Sequence, residues 1–313
     1  MIVVPIIIVV MLGIGLIYEW RGARADQKKY PPIGKLVAVG GYRLHIYCLG
    51  EEKDSPVVVF EAGSGGGGMD WALVQPEVAL FAPAFVYDRA GYGWSDRGPK
   101  PRTPEKIADE LVLLLTNAGV PGPYILVGHA FGGILVRMFL KQHPDKVAGL
   151  VLIDSTHPRI LIDESAHLEA EVRRLRRVAI FRRLGLVRFM SKKIFQKVNR
   201  LPEEKRALYL ALCRRNAYGV PDEVSGILAQ EIDLSDSIGN LPLIVVSRSL
   251  VELFDGTIAA ESQRWQELQK ELATLSANST HIVADKGGRF VQFDQPEVVI
   301  AAIRQMVETV RAQ

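Results

Sequence analysis

The sequence predicts an α/β fold: a mostly parallel eight-stranded sheet with helices on both faces and a helical lid, preceded by one transmembrane helix. Three observations predict it. Short apolar runs alternate with stretches of helical spacing along most of the chain, the pattern of strand–helix–strand units in a parallel sheet. Between Asp154 and Gly239 that alternation stops and no strand pattern occurs, which reads as a block of helices inserted above the sheet. The first residues form an apolar run unlike anything after them.

Residues 2–18 read IVVPIIIVVMLGIGLIY, and about 17 apolar residues is the lower limit for a spanning helix. A cleaved signal peptide is the competing reading, because Ala23-Arg24-Ala25 resembles a small-x-small cleavage site. A signal peptide carries basic residues before its apolar run. Here they follow it, at Arg21, Arg24, Lys28 and Lys29. The expectation is therefore an uncleaved anchor over residues 1–20 and a juxtamembrane linker over 21–33. The positive-inside rule then puts the domain on the cytoplasmic side. A cleaved signal would export it instead.

Beyond Tyr30-Pro31-Pro32 the pattern is that of a soluble domain over residues 34–313, with the lid at about 156–239. Residues 36–39 and 43–48 are short strands broken by Gly40-Gly41, a hairpin signal. Residues 57–61 are continuously apolar up to Glu61, as in a strand buried on both faces. Residues 84–87 form the next strand. A helix starts at Pro104 with Thr103 as its N-cap and reaches Asn117. Residues 124–127 and 147–153 are strands on either side of a helix that ends near Gln142. Residues 243–246 and 281–284 complete the sheet, with helices over 265–275 and 296–310.

Apolar residues make up 48% of the chain, charged residues 23%, and the net charge is +3. That balance suits a globular domain with a large core and argues against nucleic acid as a partner. Cys48 and Cys213 lie far apart, and no Cys/His spacing suggests a metal. No cofactor is implied by any motif, and the sequence leaves the oligomeric state open.

Four motifs occur in a fixed order: Phe60-Glu61-Ala62-Gly63 ahead of a glycine-rich loop, Tyr87-Asp88-Arg89-Ala90-Gly91-Tyr92-Gly93-Trp94-Ser95-Asp96, Gly128-His129-Ala130-Phe131-Gly132-Gly133, and Gly149-Leu150-Val151-Leu152-Ile153-Asp154. The third follows a strand and opens a helix, the context of the G-x-S-x-G nucleophile elbow. From about Gly34 onward the chain resembles the α/β-hydrolases, among them esterases and lipases. The resemblance implies a triad of serine, histidine and acid, with an oxyanion hole of backbone N–H groups.

The triad is degenerate. Ala130 stands at the nucleophile position, and a methyl group has neither a proton to surrender nor a lone pair to donate. The histidine position, in the loop Asp285-Lys286-Gly287-Gly288-Arg289-Phe290, is held by Arg289. A guanidinium has no acceptor and stays protonated. His129 and His281 read as packed residues, and His45, His143, His157 and His167 as surface or structural ones. Asp255 and Asp154 are the two candidates for the acid. The resemblance assigns the oxyanion donors to the backbone of Ser64 and Phe131. With Arg289 beside them, these donors favour an anion.

From Arg173 to Arg200 the lid has eleven Lys or Arg and no Asp or Glu, interleaved with Leu175, Ile180, Phe181, Leu184, Phe189 and other bulky residues. Cationic stretches with large apolar spacers lie on membranes. Membrane lipid, met through the N-terminal helix and the lid, is the expected partner, together with a small acyl or anionic ligand. Two functions fit the sequence. One is a non-catalytic pseudohydrolase that binds a ligand or acts as a scaffold. The other is a carboxylic-ester hydrolase carrying alanine in place of its serine.

Overall fold

The computed structural model describes residues 3–50, 55–163, 165–216, 220–228, 232–249 and 260–313. Eight strands form one sheet: β1 (Lys35–Ala38), β2 (Arg43–Leu49), β3 (Val57–Glu61), β4 (Ala84–Asp88), β5 (Tyr124–His129), β6 (Val147–Ile153), β7 (Leu243–Arg248) and β8 (Ser279–Ala284). Their order is β1-β2-β4-β3-β5-β6-β7-β8. The β1–β2 and β2–β4 pairs are antiparallel and all others parallel. Every residue of β3, β4 and β5 is buried, as the unbroken apolar runs require of strands covered on both faces.

The helices are α1 (Val3–Lys29), α2 (Gln75–Val78), α3 (Pro104–Asn117) and α4 (Phe131–Gln142). The lid follows with α5 (Pro158–Asp163), α6 (Ser165–Arg183), α7 (Leu186–Phe189), α8 (Ser191–Ile194), α9 (Glu203–Asn216) and α10 (Val220–Leu228), and the chain closes with α11 (Ala260–Ala273), α12 (Val291–Asp294) and α13 (Pro296–Arg311). Leu114, Ile134, Phe139 and Leu272 of α3, α4 and α11 pack on one face of the sheet. Val78, Val299, Ile303 and Met306 of α2 and α13 pack on the other. The strand order reverses at β3, between β4 and β5. The crevice at the carboxyl ends of β3 and β5 is the switch point where α/β sheets place their sites.

The N-terminal expectation needs correction. Among the described residues no helix is long and apolar enough to cross a membrane. The described apolar part of α1 ends at Tyr18. Charge follows at once: Glu19 is buried and takes Nε of Arg188 at 2.9 Å. The helix also runs on to Lys29 through most of the stretch read as a linker.

The lid holds α1. Arg188 spans Glu19 and Asp26, its Nη1 lying 2.7 Å from Asp26 Oδ2, and Arg214 reaches the same oxygen at 3.0 Å. Two glycines allow the approach. A Cβ on Gly15 would stand 2.5 Å from the Leu184 carbonyl oxygen, and one on Gly22 the same distance from Arg188 Nε. Along its first turns α1 leaves Val4, Ile6, Ile7, Val9, Val10 and Met11 exposed, and the lid adds Phe181, Phe189 and Ile194. The basic run is not uniformly outward. Arg176, Arg177 and Arg183 are exposed. Arg182 is buried and donates from Nη1 to the Arg215 carbonyl at 3.1 Å, so its role is packing.

Candidate functional site

Ala130 separates β5 from α4 with φ 48° and ψ −118°. An L-residue there is strained by roughly 1–3 kcal/mol and persists only if its surroundings insist. They do. The Ala130 N–H donates to the Ile153 carbonyl at 3.1 Å, and its own carbonyl accepts from Gly133 N and Thr156 N, both at 3.0 Å. The flanking glycines are sterically required. A Cβ on Gly132 would stand 2.5 Å from the Glu61 carbonyl oxygen, and one on Gly133 1.8 Å from Ser155 Oγ. The sharp strand-to-helix turn of a nucleophile elbow is thus formed around a methyl group.

His129, one residue earlier, points away into packing. Its Nε2–H donates to the Arg289 carbonyl at 2.9 Å, and the ring lies against Phe290 and Trp71. Burial pushes its pKa down to about 4, so the imidazole is neutral. Arg289 follows β8 in the loop before α12, and its backbone abuts the elbow through this bond. Its side chain is exposed, although its charge still disfavours protonation of His129 and favours ionised Asp154. A guanidinium has no lone pair with which to accept a proton.

Asp154 is buried at the end of β6, at φ 43°. It accepts from Trp265 Nε1 at 2.6 Å and from the Arg248 N–H at 3.3 Å, and Arg248 Nη1 lies 3.5 Å from its other oxygen. Burial raises its pKa against the pull of Arg248. Asp154 therefore ties β6 to β7 and α11. The other acid candidate, Asp255, lies outside the described residues. Ser64 is exposed in the turn after β3, closed by Gly66 N to the Gly63 carbonyl at 3.1 Å, and Phe131 opens α4. His281 bonds Ser247 Oγ at 2.9 Å as a packed strand residue. His45 is buried, with Nδ1 3.0 Å from Asp88 Oδ2.

The largest polar feature beside the elbow was not singled out from the sequence. Arg89, fully buried, donates from Nε to Glu223 at 2.7 Å and from Nη1 to Glu61 at 2.6 Å. It also donates to the carbonyls of Ala62 at 2.7 Å and Gly63 at 3.0 Å, the backbone of the turn after β3. Tyr87 bonds Glu61 and Tyr92 bonds Glu223. Glu223 comes from α10, so one guanidinium joins the turn, the sheet and the lid. Asn216, at the end of α9, adds a second tie: its side chain accepts from Gly93 N at 2.7 Å and donates to the Gly65 carbonyl at 3.1 Å. Lys197 adds a third, resting 3.1 Å from Asp70 and over the Phe290 ring. Arg89 lies in the motif that runs from Tyr87 to Asp96, but Glu223 is 134 residues away and nothing local marks it.

Comparison with known proteins agrees with this geometry. The model of the Alpha/beta hydrolase family matches residues 58–302. The chain belongs to that family. An AB hydrolase superfamily protein of Gibberella zeae is 26% identical over 295 residues, covering 82% of this chain and 87% of that one. The human (Lyso)-N-acylphosphatidylethanolamine lipase is 33% identical over 108 residues, 33% of this chain and 31% of that one. The chain spans about a fifth of the length of two of the curated relatives it matches. One of these is a vacuolar membrane protein of Saccharomyces cerevisiae, 31% identical over 137 residues, 39% of this chain and 21% of that one. Among solved structures, a thermophilic esterase from Thermogutta terrifontis superposes with a TM-score of 0.65 at 22% identity, covering 88% of this chain and 98% of that one. An epoxide hydrolase from Bacillus megaterium gives 0.68 at 13%, covering 88% and 100%. At these identities the structural likeness speaks for the fold alone.

Two predictions follow from the site's electrostatics. Glu223→Ala strands Arg89 and Tyr92 in the interior and should cost about 3–5 kcal/mol of stability in urea unfolding; a loss under 1 kcal/mol would mean the clasp is solvated. His129 supplies the second. The fold keeps it neutral down to about pH 4, whereas the unfolded chain protonates it near 6.5. Between those values the unfolded state binds more protons, so stability falls as pH drops through that window, and His129 adds no further loss below it. His129→Gln, which can still donate to the Arg289 carbonyl, should remove up to one proton from the pH dependence of unfolding free energy between pH 6.5 and 4. An unchanged slope would show that the folded imidazole titrates normally.

Proposed function

We propose that this chain is a membrane-associated pseudohydrolase, which holds a small acyl or anionic ligand at the elbow without cleaving it. The observation that carries the reading is the coexistence of a fully formed, strained elbow with a methyl group at its centre and Arg289 in the loop where the family places its base. A guanidinium accepts no proton at any working pH, and losing nucleophile or base removes on the order of a millionfold in turnover. The N–H groups of Ser64 and Phe131, the latter at the start of α4, are the donors assigned to the ligand. Backbone donors survive the loss of the catalytic side chains.

Membrane association is supported by the exposed apolar residues of α1 and by the lid residues that add to them. The basic residues Arg21, Arg24, Lys28 and Lys29 follow in the chain, and with the exposed lid arginines they suit the anionic cytoplasmic leaflet. The vacuolar membrane relative points the same way.

A second reading, an ester hydrolase carrying alanine for serine at position 130, is favoured by the strain itself. An elbow with no nucleophile gains nothing chemical from a positive φ, and the human lipase relative keeps acyl chemistry in view. Reversion separates the two. Ala130→Ser alone should leave hydrolysis of p-nitrophenyl acetate at the level of buffer, because no base activates the hydroxyl. Ala130→Ser combined with Arg289→His should raise it measurably. Strong activity from the single reversion would sink the pseudohydrolase reading and establish the hydrolase.

A further inference from the structure

Arg137 stands seven residues past Ala130 in α4, roughly 10 Å along the helix from the elbow. It is buried, at 5% exposure. Burial pulls its pKa down to about 10, which leaves the guanidinium charged at neutral pH. Arg89 and Arg102 are buried too, and carboxylates match them, Glu61 and Glu223 for the first and Glu110 for the second. Arg137 has no such match among the described residues. Its Nη2 donates to the Leu234 carbonyl, and its Nη1 finds no hydrogen-bond partner among them. A buried cation without a counter-ion is unfavourable, and an anion brought to it recovers part of that cost.

Arg137 lines a cavity of about 370 Å³ between the last turns of α4 and residues 234–241, the segment that leads into β7. Cavities that enclose small molecules run from roughly 300 to 1,000 Å³. Much of the wall is apolar: Leu140 and Leu234 are buried, and Ile238 and Leu241 pack against the same core. Lys141 stands at the rim, exposed, where its Nζ donates to the Asp233 carbonyl at 2.9 Å and lies 3.8 Å from Asp236. Protein groups therefore answer Lys141. Among the described lining residues, that leaves Arg137 as the cation without a carboxylate. One unmatched guanidinium calls for one negative charge, and its planar fork fits a carboxylate. A phosphate dianion would bring a second charge that the cavity does not match. The apolar wall fits a short hydrocarbon tail.

We infer that this cavity binds a small monocarboxylate with an apolar tail, the carboxylate on Arg137 and the tail along Leu140, Leu234, Ile238 and Leu241. The site is separate from the elbow, and the inference stands whether or not the elbow holds a ligand.

The test titrates the full chain in dodecylmaltoside calorimetrically with three probes: hexanoate, its uncharged counterpart hexanamide, and acetate, which lacks the tail. Each is measured against micelles alone. Hexanoate should bind saturably, at one site per chain, and at least about tenfold more tightly than either alternative, the usual effect of one charge-assisted contact. Arg137→Met should abolish the preference for hexanoate over hexanamide. The variant should stay folded, because an apolar side chain of similar length replaces an unpaired buried charge. Lys141→Glu, at an exposed position with little risk to folding, should weaken hexanoate several-fold by like charge at the rim and leave hexanamide unchanged. Absence of saturable hexanoate binding would overturn the inference, as would equal affinity for hexanamide. Hexanoate binding unchanged in Arg137→Met would place the ligand elsewhere, the elbow included, and overturn it too. Equal affinity for acetate would make this a bare anion site and overturn the assignment of the tail. If Arg137→Met does not fold, Lys141→Glu decides: unchanged hexanoate affinity there overturns the site.

Discussion

The buried guanidinium of Arg89 is the constraint on which the site depends. A charge this deep persists only when its N–H groups are matched, and here two carboxylates and two carbonyls match them. Glu61 comes from the end of β3, Ala62 and Gly63 from the turn that faces the elbow, and Glu223 from the lid. Moving any one of these elements unpairs a buried charge. The turn beside Ala130 is therefore held rigidly, and the lid sits over the sheet in one register. This follows from electrostatics and involves neither Ala130 nor Arg289.

That independence explains how the elbow keeps its shape around an alanine. The elbow's positive φ is enforced by hydrogen bonds from β6 and the segment after it, and by glycines that admit the Glu61 carbonyl and Ser155 at close range. None of these contacts involves the side chain at position 130. His129 contributes a neutral clip to the loop carrying Arg289. Asp154 has been drawn into an arrangement with Arg248 and Trp265 that joins three elements of the fold. What stands at the switch point is a strained elbow beside the turn that Arg89 holds.

Most of the fold was legible in the sequence because it rests on local signals. Continuous apolar runs gave β3 and β6 their bounds, and Thr103 with Pro104 marked the start of α3, whose N-cap oxygen accepts from Lys106 N as the pattern implies. The elbow was legible because its glycines are contiguous in sequence, although the atoms they admit, the Glu61 carbonyl and Ser155, lie far along the chain. Less legible were interactions between distant segments. Nothing near Glu223 announces that it meets Arg89, and nothing in the basic run distinguishes buried Arg182 from exposed Arg183. Hydropathy and the flanking charges of the N-terminal run do not reveal that Glu19 and Asp26 are claimed by lid arginines or that the helix continues to Lys29.

The central claim is that an intact elbow here has no nucleophile to offer. Intact-mass spectrometry of the chain after incubation with a fluorophosphonate, which forms a covalent phosphonyl adduct with activated nucleophiles at such elbows, addresses it directly. The account predicts an unchanged mass, with the Ala130→Ser, Arg289→His double variant gaining one adduct. A stoichiometric adduct on the chain as it stands would reveal an activated nucleophile and contradict the account.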